Sequence, residues 1–257
     1  MGLHFLEDMN TTQVKELREK TRLAIIPVGP TEVHGRHLPM KADSACAKAL
    51  ASATASKLED IKIDCIIAPT VNQAVADFVN DEVGNISIGY ETMVCLIRDI
   101  CVGLAKWNFD RILIVSGHAE PRNTEAMTEG MRMACAINKN IKGHVSEWFG
   151  KCLPQIGHIC KSAHPEWDLH AGEIETAQLM YLCPHLVDER VARTLEPNME
   201  GEFLFERISN GAQSFVDCGA LLSYFGEPAI ATRETGRRLF DFFSDFIVEE
   251  AKALLIS

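Results

Sequence analysis

The chain has no C-x-x-C pair, no dense cluster of Lys and Arg, and no apolar run near the length of a membrane span. Its nine cysteines, at 46, 65, 95, 101, 135, 152, 160, 183 and 218, are scattered, several inside apolar runs such as Asp64-Cys65-Ile66-Ile67. That distribution excludes a thiolate zinc motif and a disulfide framework, and reads as mostly buried thiols. Lys and Arg number 25 against 36 Asp and Glu, a formal net charge of -11. Phosphate backbones are bound by clustered cationic side chains, so nucleic acid is excluded as a partner and the acidity serves solubility. A spanning helix needs about 18–20 apolar residues, which excludes a membrane protein of that kind. The segment Met1-Gly2-Leu3-His4-Phe5-Leu6-Glu7-Asp8 carries acids where a signal peptide is basic and then apolar, and Leu6 occupies the Ser/Thr position of a myristoylation motif. The expectation is a cytoplasmic protein with reduced thiols.

The composition, 47% hydrophobic and 24% charged over 257 residues, is that of a globular chain long enough for one substantial core. Strand-like and helix-like patterns alternate without linker, repeat or low-complexity segment, so residues 1–257 read as a single α/β domain. The pattern predicts a helix capped by Thr11 or Thr12 and running through Lys20, a strand over 22–28, and an alanine-rich helix over 44–57. A strand over 61–69, an irregular loop over 71–89 and a helix over 91–106 follow, the helix carrying a Met93, Ile97, Ile100, Leu104 stripe. Then come a strand over 111–116, a helix over 123–137, a strand over 142–148, a Gly- and Pro-punctuated loop over 149–169, and a helix starting near Ala171. Leu239, Phe242, Phe243, Phe246, Ile247 and Leu254 mark a C-terminal amphipathic helix.

Two short segments, Glu32-Val33-His34 and His118-Ala119-Glu120, mirror each other in residue type, and each follows an apolar run that ends in glycine. In extended backbone, residues i and i+2 project to the same side about 6–7 Å apart, so each segment can aim an imidazole and a carboxylate at one point. Either pair alone is explained as well by a solvated loop; their shared position after Leu23–Gly29 and Arg111–Gly117 is what points to a site, because open α/β sheets place ligands at the carboxyl ends of strands. Asp43, nine residues after His34, is a fifth candidate. Two nitrogens and three carboxylates exceed the needs of one tetrahedral zinc, whereas a shared carboxylate can hold two cations about 3.5–4 Å apart.

The run Pro27-Val28-Gly29-Pro30-Thr31-Glu32-Val33-His34-Gly35-Arg36-His37-Leu38-Pro39, followed by Asp43, resembles the opening signature of the creatininase (creatinine amidohydrolase) family. Ser116-Gly117-His118-Ala119-Glu120 resembles its strand-end metal motif, His170-Ala171-Gly172-Glu173-Ile174-Glu175-Thr176-Ala177 its third block, and Gly226-Glu227-Pro228 with Arg233-Glu234-Thr235-Gly236 its C-terminal block. The resemblance implies a three-layer α/β/α sandwich with a mostly parallel central sheet, two divalent metal ions, and hydrolysis of a cyclic or linear amide-type C–N bond. It puts one metal on Glu32, Asp43 and His118 and the other on His34, Asp43 and Glu120, with Asp43 as the bridge. The mixed nitrogen and oxygen donors suit Zn²⁺ or Mn²⁺. The resemblance, together with apolar helical faces, also implies a homo-oligomer, with a hexamer as the expected size.

On this reading a metal-activated water attacks the carbonyl and a proton donor serves the leaving nitrogen. His170 is the candidate donor: it opens the third block ahead of a helix, and an imidazole titrates near neutrality. A supporting role, orienting a ligand, is the competing account. Glu175 and Glu173 are further catalytic candidates, Glu173 as a possible replacement for Glu120 at the metal, although acids in a first helical turn are also favoured by the helix dipole. Trp148 and Trp167 are candidate substrate contacts, as the family carries aromatics in similar places, with core filling as the alternative. Two departures bear on substrate. The stretch Asn80-Asp81-Glu82-Val83-Gly84-Asn85-Ile86-Ser87 lacks the His, Phe and Pro of the common family loop, and Ser116–Pro121 departs from Asn-Gly-His-Gly-Gly-Asn. The expected activity is opening of a cyclic amide, with a lactone or sugar-derived cyclic ketone as alternatives. A metal-stabilised interaction subunit without catalysis, and an isomerase or lyase working through an enolate, are the non-hydrolytic ones.

Overall fold

The computed structural model describes residues 3–79 and 82–256, so Asn80 and Asp81 of the divergent loop, and Met1 and Gly2 of the N-terminal segment, lie outside the described residues. The elements are β1 (His4–Phe5), α1 (Thr11–Leu17), β2 (Leu23–Val28), α2 (Ala42–Asp60), β3 (Ile66–Ile67), α3 (Tyr90–Ala105), β4 (Arg111–Ser116), α4 (Pro121–Ile137) and β5 (Lys142–Val145). The second half holds α5 (Trp148–Cys152), α6 (Glu173–Leu182), α7 (Glu189–Ala192), α8 (Leu204–Ser209) and α9 (Arg233–Ile256). The strands form one parallel sheet in the order β1-β3-β2-β4-β5.

Alternation along the central strands builds the three layers. Ala24, Ile26, Val28, Ile112 and Ile114 face α3 and α4, where Met93, Ile97, Met127 and Met131 complete one core. Leu23, Ile25, Leu113 and Val115 face the opposite way, against Leu50, Leu58, Phe243 and Ile247 of α2 and α9. Every residue of β2 is buried, as a strand covered on both faces must be.

Several predicted boundaries shift for local reasons. The first helix is capped by Asn10, not Thr11 or Thr12: its side chain accepts from Thr12 and Gln13 N–H while Gln13 returns a bond to Asn10 N–H, a reciprocal capping box. The strand predicted over 61–69 pairs only at Ile66–Ile67, because Ile61 and Lys62 still close the end of α2, with Lys62 at φ +66°. The strand predicted to reach Trp148 stops at Val145, and Trp148 instead opens α5, its ring against Phe243 at 4.7 Å. Short helical turns at Leu153–His158 and Pro165–Trp167 punctuate the predicted loop over 149–169. β1 was not legible as a strand; its two residues pair with β3 alone. Of the cysteines, Cys46, Cys65, Cys101, Cys152 and Cys218 are buried, and all nine are free thiols.

The α6–α9 contact depends on a glycine. A Cβ at Gly236 would lie 1.9 Å from the Ala177 carbonyl oxygen, a backbone atom that cannot yield cheaply, whereas nothing lies within 4 Å of a Cβ at Gly103 in α3. Gly236→Ala is expected to lower stability by about 1–3 kcal/mol through overpacking. Gly103→Ala is expected to raise it by roughly 0.5–1 kcal/mol, the helix-interior preference for alanine. Urea unfolding of the two variants beside the parent chain checks the opposite signs.

Candidate metal centre

β2 and β4 are hydrogen-bonded neighbours that end level, Val28 opposite Ser116, and each is followed by a glycine. A Cβ on Gly29 would stand 2.4 Å from Ser44 N and 2.5 Å from the Asp43 carbonyl carbon, and one on Gly117 would stand 2.1 Å from Asp43 O. The two glycines thus let the first turn of α2 settle onto the strand ends, which brings Asp43 between the two ligand-bearing loops. Glu32, His34, Asp43, His118 and Glu120 are all buried there.

The two oxygens of Asp43 face different histidines. Oδ1 lies 3.2 Å from His34 Nε2, and Oδ2 lies 3.8 Å from His118 Nδ1. His118 Nδ1 is also 2.8 Å from Glu32 Oε2, and His34 Nε2 is 3.7 Å from Glu175 Oε2. Potential ligand atoms gather into two groups, Glu32–Asp43–His118 and His34–His170–Glu175, each with its atoms within 4.8 Å of one another. His34 donates Nδ1–H to the Glu32 carbonyl oxygen at 3.1 Å, which fixes the tautomer and leaves the Nε2 lone pair aimed at Asp43.

Buried polar atoms without partners test whether cations fit. Both Glu32 carboxylate oxygens, His34 Nε2, Asp43 Oδ2, His118 Nε2 and Glu120 Oε1 are buried and make no hydrogen bond. So many orphaned donors and acceptors in one place are costly in a folded protein unless an ion satisfies them. The titration of the group agrees. Burial alone would lower His34 and His118, but Asp43 and Glu175 around the first and Glu32 around the second outweigh it and hold both imidazoles well above their ordinary value. Burial pushes Glu32 up to about 7 against the opposing charge of His118, while for Asp43 the pull of His34 overcomes burial and leaves it low. The cluster demands positive charge, and divalent cations binding there would displace the protons that otherwise supply it.

The other predicted residues are distributed less simply. Glu120, expected beside His34, is the N-cap residue of α4; its Oε2 accepts Asp77 N–H at 3.0 Å and lies 3.6 Å from His118 Nε2, outside both groups. Glu173 is away from the metal groups: both its oxygens accept the Lys161 N–H, and one also accepts the Ser162 N–H at 2.8 Å, so it pins the preceding loop. That corrects the expectation of Glu173 as a ligand or catalytic acid. His170 reaches the centre, its ring 4.3 Å from that of His34, and donates Nε2–H to Val33 O at 2.8 Å. Burial first, and the positive His34 second, push it down to about 3, so the resting imidazole is neutral and its Nδ1 keeps a lone pair that can accept a proton. Trp148 lines the cavity above the centre, but its Nε1–H is committed to Ser116 O at 2.7 Å. Trp167 does not line it and stacks on His164 at 3.8 Å, because the turn at Pro165–Trp167 carries it away.

That cavity has a volume of about 570 Å³ and reaches His118, Glu120, His170 and Glu175. Phe78, Phe149, Leu204, Phe205, Ile208 and Phe215 make its walls predominantly apolar. Sequence reasoning missed the wall from α8 and Phe215, since α8 spans only six residues, too few for a readable period. Glu175 was legible as a candidate, and its place is set by Ala171, which adopts φ +50° and donates its N–H to Glu175 Oε2 at 2.5 Å.

Comparison with known proteins agrees with this architecture. The creatininase family model, described as creatinine amidohydrolase, matches residues 7–251. A mycofactocin precursor peptide peptidase of Mycolicibacterium smegmatis is 27% identical over 239 residues, covering 92% of this chain and 87% of its own. A creatinine amidohydrolase of Pseudomonas putida is 27% identical over 172 residues, covering 64% of this chain and 65% of its own. Among solved structures, creatinine amidohydrolase superposes with a TM-score of 0.79 at 18% identity over 97% of both chains. A manganese form of creatininase superposes at 0.77 with 17% identity, over 96% of this chain and 97% of its own. With a family match over nearly its whole length and the same parallel-sheet fold, the chain belongs to the creatininase family.

Proposed function

We propose that this creatininase-family hydrolase uses two divalent cations, Zn²⁺ or Mn²⁺, to cleave an amide C–N bond in a peptide-like substrate. The observation that carries the proposal is Asp43, whose two carboxylate oxygens face His34 and the cavity-lining His118 separately. Bound there, the cations would polarise the scissile carbonyl and make water nucleophilic near neutral pH. Glu32 and His118 would hold one, His34 the other, and Asp43 would join them. His170 keeps Nε2–H on Val33 O, so Nδ1 is the nitrogen free to take a proton and return it to the leaving amine. The apolar walls exclude water and favour a substrate with hydrophobic groups beside the reacting bond.

The peptide reading rests on the named activity of the mycobacterial relative and on the apolar walls of the cavity, whose roughly 570 Å³ lies in the range of about 300–1,000 Å³ common to small-molecule sites and leaves room for more than a small ring. A cyclic amide is the second reading, favoured by the named activity of the Pseudomonas relative. Metal-loaded enzyme should turn over short N- or C-terminally apolar peptides with kcat/KM at least tenfold above creatinine and other cyclic amides, with ¹⁸O from solvent in one carboxylate product. Turnover of cyclic amides alone would establish the second reading instead.

Asp43→Ala is expected to remove most bound metal and nearly all activity, whereas Cys46→Ala, one helical turn further along α2, should change neither. Two equivalents of metal surviving in the Asp43 variant, measured by elemental analysis after dialysis, would contradict the bridge. His170→Gln should keep both cations while lowering kcat by roughly 10²–10⁴-fold, the range for losing a positioned proton carrier. Loss of metal from the His170 variant would make it a ligand and move proton transfer elsewhere.

A further inference from the structure

Gln178 lies on α6 three residues past Glu175, which makes the two side chains neighbours on one face of the helix, and they are the two residues of α6 that line the cavity. Gln178 is 1% exposed, and its Nε2 is buried with no hydrogen-bond partner among the described residues. Two other cavity-lining groups with orphaned buried atoms, His118 and Glu120, belong to the metal centre; Gln178 is neutral and stands apart from both ligand groups. Asn123 makes a useful contrast. It is fully buried with an orphaned Nδ2, but it does not line the cavity, and its Oδ1 accepts the Val75 N–H at 3.3 Å, as an amide serving the fold does. In a helix that buries Ile174, Ala177, Leu179 and Met180, an unpaired amide costs stability that an apolar side chain of the same length would not. Position suggests what pairs with it. A helix rises 1.5 Å per residue, so Gln178 is about 4.5 Å along α6 from Glu175, which gathers with His34 and His170. An extended peptide advances about 3.3–3.6 Å per residue, so a chain whose reacting group sits at the centre brings its next peptide group to the level of Gln178. The terminal torsion of a glutamine is broad, so the carboxamide can turn its donor or its acceptor to that group.

We propose that Gln178 is a substrate-binding residue whose carboxamide hydrogen-bonds a peptide group adjoining, and not containing, the scissile bond. The proposal deepens the peptide reading above and rests on it. It gives a predominantly apolar cavity one polar contact that sets the register of the bound chain. An amide that serves the fold and an amide that waits for substrate predict opposite signs for stability, because removing a paired group weakens the fold and removing an unpaired one does not.

The experiment compares wild type with Gln178→Met and Gln178→Leu, which remove the amide and keep an apolar side chain of similar size. Urea unfolding without substrate is expected to give at least one of the two a midpoint at or above that of wild type; a lower midpoint in both would identify an amide that serves the fold and overturn the proposal. With the apolar peptide that metal-loaded wild type turns over best, the folded variant is expected to raise KM roughly 3–10-fold while kcat stays within about twofold, the effect of losing one neutral hydrogen bond made equally in the ground and transition states. The same peptide is then prepared with an (E)-alkene in place of the peptide group on one side of the scissile bond, and again on the other. One of these isosteres is expected to raise KM in wild type by a similar factor and to leave the variant unaffected. If each isostere changed KM equally in wild type and variant, the proposal would be overturned. Peptide turnover with an unchanged KM in the variant would likewise overturn it and leave the peptide reading standing, whereas a wild type that turns over no peptide would overturn that reading and this proposal with it.

Discussion

The approach of one helix to two strand ends, close enough that only glycine fits at either contact, is the constraint from which the centre follows. Gly29 and Gly117 sit where β2 and β4 stop, and a Cβ on either would overlap the backbone of Asp43 or Ser44. Neighbouring parallel strands end at the same level, so the loops that follow them leave from adjacent points of one edge. Glu32 and His34 ride on one loop and His118 on the other; the first turn of α2, lodged between, contributes the carboxylate that faces both. The helix N-terminus also favours negative charge in its first turn, which suits Asp43 and disfavours a basic residue there.

Electrostatics then make the cluster depend on something that is not carboxylate. Glu32, Asp43 and Glu175 crowd into a buried space, and the two imidazoles among them are held well above their ordinary value although burial opposes it. Such a cluster is poor as a source of fold stability, because the cost of desolvating its charges competes with their attraction. Its six orphaned polar atoms are what the proposed cations would satisfy and packing does not. The layers around it supply the stability instead: both faces of β2 and β4 are sealed by helices, and the cores on the two sides are continuous apolar clusters.

How much of this was legible in the sequence follows from which signals are local. Buried parallel strands are near-continuous apolar runs, and Arg111–Ser116 was readable to the residue and Leu23–Val28 to within one. The site residues near those runs were readable too, because chain proximity to a strand end is itself structural information. Less legible was how i and i+2 residues share out their partners. A common target assumes extended backbone, but Glu120 caps α4, with Pro121 opening the helix, and its side chain turns to the amides of Asp77 and Phe78. Glu32 and His34 divide between the two groups, as the family resemblance implied, since His34 Nδ1 bonds the Glu32 carbonyl and turns the ring away. Glu173 misled for a different reason: an acid in a first helical turn looks the same in sequence whether it faces a metal or, as here, the N–H groups of a loop.

Floor and wall of the cavity therefore carry separate information. The floor comes from strand ends and helix starts, where backbone contacts such as Gly117 against Asp43 leave little freedom to vary. The far wall comes from Leu204, Phe205, Ile208 and Phe215, on a short helix and a turn that touch the centre chiefly through Phe215 against His170 at 4.8 Å. Phe205 is 65% exposed, so it contributes little to the folded core and its apolar surface is free to meet a substrate. Substitution along that wall can change which acyl or amine portion fits without moving any candidate ligand, whereas substitution at the floor changes whether cations bind at all. The segment around residues 204–215, which builds that wall, carries neither a long period nor a family block.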